Sequence, residues 1–181
     1  MSDGTAYIVL FRGVGGKTQL PVAPLREALA RAGFGNVATY INSGNAVLKS
    51  ALPRAEVAAR VAEICARDFA FDKDIYLATR AEWRALIAAN PFPQAVATPN
   101  FLPAALLAGT PEPARVEALR ALAAGGEGVA VVGNVAYLHT PHGFGTSKLA
   151  ARFDKGIGVA NTARNWNTVL KLDALAAAAD A

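Results

Sequence analysis

The chain has 181 residues, of which 53% are hydrophobic and 18% are charged, and its formal net charge is +4. This composition excludes a disordered protein, and the length suits one compact domain or two small ones. The single cysteine, Cys65, excludes an internal disulfide framework and is typical of a protein in the reducing cytoplasm.

The positive charge is unevenly placed along the chain. Residues 1–50 carry five Lys or Arg against two acids, residues 51–140 carry eight against nine, and residues 141–181 carry five against three. The excess in the two end segments fits either an anionic partner or an ordinary solvated surface. No apolar run approaches the ~18 residues of a membrane span, and the N-terminus lacks a signal-peptide pattern, so we expect no membrane partner.

The first half of the chain predicts the order β-α-β-β-α-β. Short β-branched runs indicate strands, and apolar residues at helical spacing indicate helices. Thr79 and Glu82 form a capping box that begins a further helix over 80–90. The predicted elements are strand 6–11, helix 22–32, strands 36–41 and 46–50, helix 54–69 and strand 73–79.

The second half of the chain repeats this order. Three prolines within 91–99 indicate a boundary, which divides the chain into units 1–90 and 91–181. The sequence therefore predicts an α+β fold of duplicated ferredoxin-like β-α-β-β-α-β units plus a C-terminal helix. The elements predicted here are strand 100–108, a helix from Thr110, strands 128–132 and 135–140, helix 147–153, a possible strand 157–161 and a last helix.

The stretch "RGVGGKT", residues 12–18, follows the first strand and ends like a phosphate-binding loop. The P-loop spacing requires a glycine where Phe11 stands, and the dinucleotide fingerprint fails at Thr18, so we exclude an ATPase of that type. The glycines either present backbone N–H groups to an anion or form a flexible connection. The residues that would meet the anion are Arg12, Gly13, Gly15, Gly16 and Lys17.

The stretch "YINSGNAV", residues 40–47, has the composition of a hairpin turn. A turn that requires positive φ explains Gly44 and Asn45, but it leaves Asn42 and Ser43 without a role. We expect this turn at the opposite end of the sheet from residues 12–18, an arrangement that would work against one joint site in the first half.

The stretch "ANTARNWNTVLKL", residues 160–172, is interpreted as the start of the last helix, with Asn161 or Thr162 as its N-cap. Helical spacing puts Trp166, Val169 and Leu170 on a packed side. A helix N-terminus with such donors is either an anion site or an elaborate cap. The opposite stripe, at i, i+3, i+4 and i+7, consists of Arg164, Asn167, Thr168 and Lys171.

Other candidates for chemistry are few. His139, His142 and Cys65 make no plausible metal site, so neither a metal nor another cofactor is predicted. Cys65 lies on the apolar stripe of its helix and is expected in the core. Ser147 is expected to be an N-cap, and no general base stands out.

Together, "YIVLFRGVGGKTQLPVAPLREALARAGFGNVATYINSGNAVL" and "SKLAARFDKGIGVANTARNWNTVLKL" resemble the signatures of the bacterial "domain of unknown function 1697" family. The resemblance implies a duplicated ferredoxin-like fold and no particular reaction. The family loop usually reads R-G-I-N-V-G-G-K, whereas this chain is two residues shorter and lacks the asparagine. The shared positions are Arg12, Gly13, Gly15, Gly16, Lys17, Ser43, Gly44, Asn45, Ser147, Lys148, Arg164, Asn165, Trp166, Asn167, Thr168 and Lys171.

The functional expectation is binding of a phosphate-bearing ligand, either a nucleotide or a nucleic acid. The alternatives are an enzyme acting on a small anionic metabolite and a homodimeric interaction module. A nucleic-acid site would require an extended basic groove with exposed aromatic residues, for which Phe144 is a candidate. The expected ligand-binding residues are Arg12, Gly15, Gly16, Lys17, Ser43, Asn45, Lys148, Arg164, Asn167 and Lys171.

Overall fold

The structure is a computed structural model that describes residues 4–42 and 44–181. The chain divides into two units, of which the first runs to Ala85 and also includes Lys171–Ala181. The second unit is Leu86–Leu170, which includes the proline-rich segment 91–99. In the described part of the chain, no helix combines the length and the apolar character needed to cross a bilayer.

The first unit contains a four-stranded antiparallel sheet with the strand order β2-β3-β1-β4. The capping box at the start of α3 (Arg80–Ala88) is confirmed, because Glu82 N donates to Thr79 Oγ1 and Thr79 N donates to Glu82 Oε2. Elements before α3 are β1 (Thr5–Phe11), α1 (Val22–Arg31), β2 (Gly35–Thr39), β3 (Asn45–Ser50), α2 (Arg54–Phe69) and β4 (Ile75–Thr79).

The second unit has a sheet of the same kind, with the order β6-β7-β5-β8. Two short 3₁₀ helices, Pro93–Ala97 and Pro99–Phe101, precede it, and the last helix α6 (Trp166–Asp180) follows it. The predicted duplicated α+β fold with a C-terminal helix is thereby confirmed. Its elements are β5 (Pro103–Leu107), α4 (Pro113–Arg120), β6 (Gly128–Val132), β7 (Val135–His139), α5 (Lys148–Gly156) and β8 (Asn161–Asn165).

The repeat extends to individual backbone hydrogen bonds. The first strand of each unit ends between its two neighbours, so its last N–H groups have equivalent partners. Phe11 N donates to Gly44 O at 2.9 Å, and in the second unit Leu107 N donates to Asn134 O at 2.8 Å. The following residue repeats the pattern, with Arg12 N donating to Asp74 O at 3.0 Å and Ala108 N to Ala160 O at 2.8 Å.

Each unit has its own hydrophobic core. In the first, alternate residues of β1 and β3 pack with the inner faces of α1 and α2, around Leu29, Val61 and Cys65, which are all fully buried. In the second, β5 and β7 pack with α4 and α5 around Leu149 and Ile157. Burial of each such side chain stabilises the fold by roughly 1.5–3 kcal/mol.

The start of the last helix differs from the prediction. Residues 161–165 form strand β8, whereas the predicted strand at 157–161 and the predicted helix start near Asn161 are wrong. β8 pairs with β5 at the sheet edge. Its polar residues Asn161 and Thr162 are buried and hydrogen-bonded: Asn161 Nδ2 donates to Asp154 Oδ1 at 3.1 Å, and Thr162 Oγ1 accepts from Arg164 Nη1 at 2.9 Å. The helix begins at Trp166, and its N-cap is Asn165, whose Oδ1 accepts a hydrogen bond of 3.0 Å from Thr168 N.

We predict that Asn165→Ala lowers the free energy of unfolding by about 1 kcal/mol, because it removes the side-chain cap of α6. Asn167→Ala is the matched control, since Asn167 is in the same turn, its hydrogen bond to Asn100 Oδ1 is solvent-exposed, and alanine favours a helix. Urea denaturation followed by circular dichroism measures both. Equal effects of the two changes would contradict this cap assignment.

We predict that Cys65 does not react with Ellman's reagent in the folded protein. Its side chain is fully buried in the first core, and burial raises the pKa of the thiol to about 12, so little thiolate exists in mildly alkaline buffer. Stoichiometric labelling is expected only in concentrated guanidinium chloride. Rapid labelling of the native protein would show that the α1–α2 side of this core opens readily.

Candidate anion-binding site

The loop between β1 and α1 contains a tight turn with an exposed tip. Gly15 N donates to Thr18 O at 2.7 Å and Thr18 N donates to Gly15 O at 3.0 Å, so Gly16 and Lys17 form the tip. Gly16 has φ +57°, which glycine adopts without strain. The sequence therefore closes the turn with its own backbone and leaves a lysine at its outermost point.

The backbone N–H groups of this turn fall into two classes: some close the turn, and others have no protein acceptor in the part of the chain that the structure describes. The N–H of Gly15, which we expected to face an anion, closes the turn by donating to Thr18 O. The backbone N–H groups of Gly16 and Lys17 have no hydrogen-bond acceptor among the described residues. These two groups, together with the Lys17 ammonium, are available to an anion.

The turn between β2 and β3 lies at the same end of the sheet as this loop. The expectation of opposite ends is wrong, because β1 and β3 are antiparallel and Leu10 near the end of β1 pairs with Asn45 at the start of β3. Gly44 touches the loop directly: a Cβ there would lie 2.7 Å from Val14 Cγ2. Ser43, a predicted ligand-binding residue, lies outside the described residues.

Two residues of this hairpin turn have distinct roles. Asn45 is buried, and its Nδ2 donates to Tyr40 O at 3.1 Å, so its side chain helps to close the turn. Ile41 has φ +45° although it is β-branched, and its side chain is 48% exposed. Such a conformation is strained, and strain of this kind is concentrated at functional sites.

The loop and the hairpin turn together form a small cleft of about 230 Å³. The N-terminus of α1, which has neither a side-chain cap nor an acid in its first turn, begins directly after the lining residue Pro21. Uncapped helix N-termini attract anions. The residues that line the cleft include no carboxylate: they are Val14, Gly15, Thr18, Gln19, Leu20, Pro21 and Asn42.

Sequence reasoning missed three polar residues of this cleft, namely Thr18, Gln19 and Asn42. The available signal was Asn42, which the hairpin turn alone did not explain. The three residues became significant only when the topology placed both turns at one end of the sheet. Gln19 also stabilises the Gly16–Lys17 turn, since its Nε2 donates to Gly16 O at 3.2 Å.

Further cations lie at this end of the first unit. Arg12 directly follows β1, and Lys73, just before β4, lies against Gly13. Lys171 Nζ lies 6.0 Å from the centroid of the Tyr40 ring, at the outer limit of a cation–π contact. Asp72 and Asp74 flank Lys73 in the sequence and offset part of this charge.

The remaining predicted residues belong to the second unit. Arg164 lies on β8, where its Nη1 donates to Thr162 Oγ1 at 2.9 Å and to Ala163 O at 2.8 Å. Burial lowers the pKa of Arg164 to about 10, so it is still a cation at neutral pH. Lys148 begins α5 after Ser147, whose Oγ accepts from Ala150 N as predicted for an N-cap.

The predicted polar stripe on the last helix does not exist as proposed. Arg164 precedes the helix, and Thr168 is buried. Asn167 is exposed, and its Nδ2 donates to Asn100 Oδ1 at 3.2 Å. Trp166 packs inward as predicted, but Leu170, assigned to the packed side, is 43% exposed. The difference follows from the helix start at Trp166, which removes Arg164 from the helical spacing.

No metal site is found in the described part of the chain, because no group of three or more His, Cys, Asp or Glu side chains lies close enough together to hold an ion. The strongly raised pKa values occur at residues in the cores. One is the thiol of Cys65, and the other is the Tyr137 hydroxyl, whose pKa burial raises to about 12. Tyr137 donates to Leu86 O at 2.6 Å, which is a structural contact.

Most of the chain matches one sequence family. The sequence model of the family described as "Protein of unknown function (DUF1697)" matches residues 5–137, which include both turns of the cleft. The chain belongs to the DUF1697 family. The match ends before residues 147–172, so the DUF1697 resemblance of that stretch stays a prediction. No curated protein matches the chain.

A solved structure supports the fold of this DUF1697 protein. The conserved bacterial protein SP0830 from Streptococcus pneumoniae is similar to it, with a TM-score of 0.73 and 20% sequence identity. The alignment covers 96% of this chain and 99% of that chain. At this identity the likeness concerns the fold alone, and it extends over both sheets.

We predict that Gly44→Ala lowers the free energy of unfolding by about 2–3 kcal/mol. The new Cβ would require a left-handed alanine, since Gly44 has φ +79°, and it would meet Val14 Cγ2 and Phe11. Gly16→Ala is the control, because it has a similar φ with nothing within 4 Å, so only the conformational cost of ~1 kcal/mol applies. Equal losses in urea denaturation would contradict the close approach of the two turns.

Proposed function

We propose that this DUF1697 protein binds a phosphate-bearing ligand, in the first place a nucleotide, in the cleft lined by residues 14–15, 18–21 and Asn42, beside the Gly16–Lys17 tip. The observation that carries the proposal is the grouping of donors around a cleft without a lining carboxylate. The donors in the lining are the Thr18 hydroxyl and the amides of Gln19 and Asn42. The free N–H groups of the tip and the Lys17 ammonium lie beside the lining in the chain, as does the uncapped start of α1.

The duplicated fold provides an internal comparison. In the second unit, residues 108–112 connect the first strand to its helix and only Gly133 and Asn134 connect the hairpin strands. In the first unit the corresponding connections are residues 12–21 and 40–44. Because the shorter connections support the same topology, the fold does not require the longer ones. Extra length in loops at one end of a sheet is typical of a binding site.

The size of the cleft favours a small ligand. Its volume of about 230 Å³ is below the ~300–1,000 Å³ of sites that enclose a drug-sized molecule. A cleft of this size accommodates a phosphate with a small attached group and leaves the rest of a nucleotide outside. A nucleic-acid ligand is the second form of the proposal. The exposed aromatic residue that a nucleic-acid site would require is Phe144. It is 43% exposed, but it lies in the second unit and not in the unit that contains the cleft.

The residues around the cleft favour binding over catalysis. Its lining contains hydroxyl and amide groups, Thr18, Gln19 and Asn42, and these donate to an anion without taking up a proton. General acid–base catalysis requires a titratable group within hydrogen-bond reach of the substrate, and the lining residues include none. We therefore place the enzyme hypothesis second.

We predict that Lys17→Ala weakens binding of ADP and inorganic phosphate by about fivefold to tenfold at low ionic strength, because a charge-assisted hydrogen bond is lost. Asn42→Ala is expected to weaken binding by less, about threefold, since a neutral donor is lost. Isothermal titration calorimetry measures both. Lys73→Ala is the matched control, because Lys73 is an exposed lysine at the same end of the sheet that lies against Gly13 and not at the Gly16–Lys17 tip.

Three results would contradict the proposal: no binding of either compound by the wild-type protein, equal losses in Lys17→Ala and Lys73→Ala, or retention of wild-type affinity in Lys17→Ala. Titration with a single-stranded oligonucleotide tests whether the ligand is a nucleic acid. If it binds more tightly than ADP and Lys17→Ala weakens both, the phosphate of a nucleic acid occupies the cleft. If Arg164→Ala weakens binding more than Lys17→Ala does, the site lies in the second unit.

A further inference from the structure

The second unit has an open groove between α4 and α5 that the proposed function does not use. Its volume is about 750 Å³, and its floor is apolar, formed by Leu119 and Leu122 with neighbouring alanines. Gly156 allows the two helices to approach each other, since a Cβ there would lie 2.7 Å from Leu119 Cδ2. The floor is therefore a fixed product of helix packing.

Cations surround this floor. Lys148, Arg152 and Lys155 stand at i, i+4 and i+7 on α5, so they lie on one face of the helix over about 10 Å. None of the three side chains forms an ion pair or hydrogen bond with a described residue. On the α4 side Arg115 lines the groove, with an exposed Glu112 carboxylate 3.9 Å away.

The corresponding groove of the first unit has a different character. The groove between α1 and α2 measures about 310 Å³, and its lining includes Glu63 and Asp68 beside three arginines. Arg67 Nε there donates to Asp68 Oδ1 at 2.7 Å. Since both grooves come from the same repeated fold, the apolar floor and the unpaired cations of the α4–α5 groove are not consequences of the topology.

We propose that the α4–α5 groove binds an acidic amphipathic helix of a partner protein. The apolar face of such a helix would cover the half-buried Leu122 and the exposed Ala118 and Ala151, and its carboxylates would lie along the three cations of α5. Charge complementarity selects this partner. A nucleic acid would place charged phosphates against the apolar floor. A membrane surface would require protruding apolar side chains, whereas Leu119 in the floor is only 2% exposed.

A second copy of the chain does not fit this description. Exposed acids on its helices stand beside arginines: Glu27 lies 3.9 Å from Arg31, and Glu117 forms an ion pair with Arg120. A helix face with alternating charge offers no continuous row of carboxylates to α5. The partner is therefore a different protein with an acidic helix.

The test uses a fluorescently labelled synthetic four-turn helix with leucines on one face and glutamates along the adjoining face. Fluorescence anisotropy with the full chain is expected to show saturable binding. The double variant Arg152→Glu, Lys155→Glu is expected to weaken it at least about tenfold. The matched control is Arg60→Glu, Arg67→Glu, which changes the net charge equally in the α1–α2 groove and is expected to retain binding within about twofold. Circular dichroism verifies that both variants fold.

A peptide with glutamine in place of each glutamate separates charge from apolar contact, and it is expected to bind about tenfold more weakly. The proposal is overturned if the acidic peptide does not bind, if both double variants weaken it equally, or if the glutamine peptide binds as well. It is also overturned if an oligonucleotide or phosphatidylglycerol vesicles bind more tightly than the peptide and lose affinity in the Arg152→Glu, Lys155→Glu variant. None of these measurements depends on the cleft, because Lys17 is unchanged throughout.

Discussion

The contact between Gly44 and the end of β1 is the constraint from which the proposed site follows. Phe11 N donates to Gly44 O at 2.9 Å, and only a residue without a Cβ fits against Val14 and Phe11 with φ +79°. This contact joins two turns that are about thirty residues apart in the chain. The cleft between them depends on it, since one wall comes from the glycine loop and the other includes Asn42. The close packing of Gly44 against β1 thus brings together the polar residues that line the cleft.

The duplication separates what the fold requires from what function adds. Equivalent hydrogen bonds end the first strand of both units, so the framework is the same. On this framework the first unit carries longer loops with an exposed Gly16–Lys17 tip, and the second carries a cationic groove with an apolar floor. We infer that the two repeats have diverged toward different ligands: a phosphate-bearing molecule in the first and an acidic helix in the second.

Much of the fold could be predicted from the sequence, because its strands and helices have clear periodicities. Helix α2 occupies the predicted residues 54–69, and the capping box at Thr79 forms as expected. The C-terminal stretch could not be predicted in the same way. Strand β8 reads Asn-Thr-Ala-Arg-Asn, and no apolar alternation marks it, because its buried positions Asn161 and Thr162 hold polar side chains that are satisfied by hydrogen bonds. The cleft was missed for a topological reason, since antiparallel β1 and β3 bring together two turns that we expected at opposite ends of the sheet.

The central claim is that the tip of the glycine loop receives an anion through its backbone N–H groups. The most direct measurement is a titration of the ¹⁵N-labelled protein with inorganic phosphate, followed by amide chemical shifts. The account predicts saturable shifts at Gly16, Lys17 and the first residues of α1, with the corresponding loop of the second unit, residues 108–112, unchanged. Shifts confined to the cationic face of α5, or no saturable shift at Gly16 and Lys17, would contradict it.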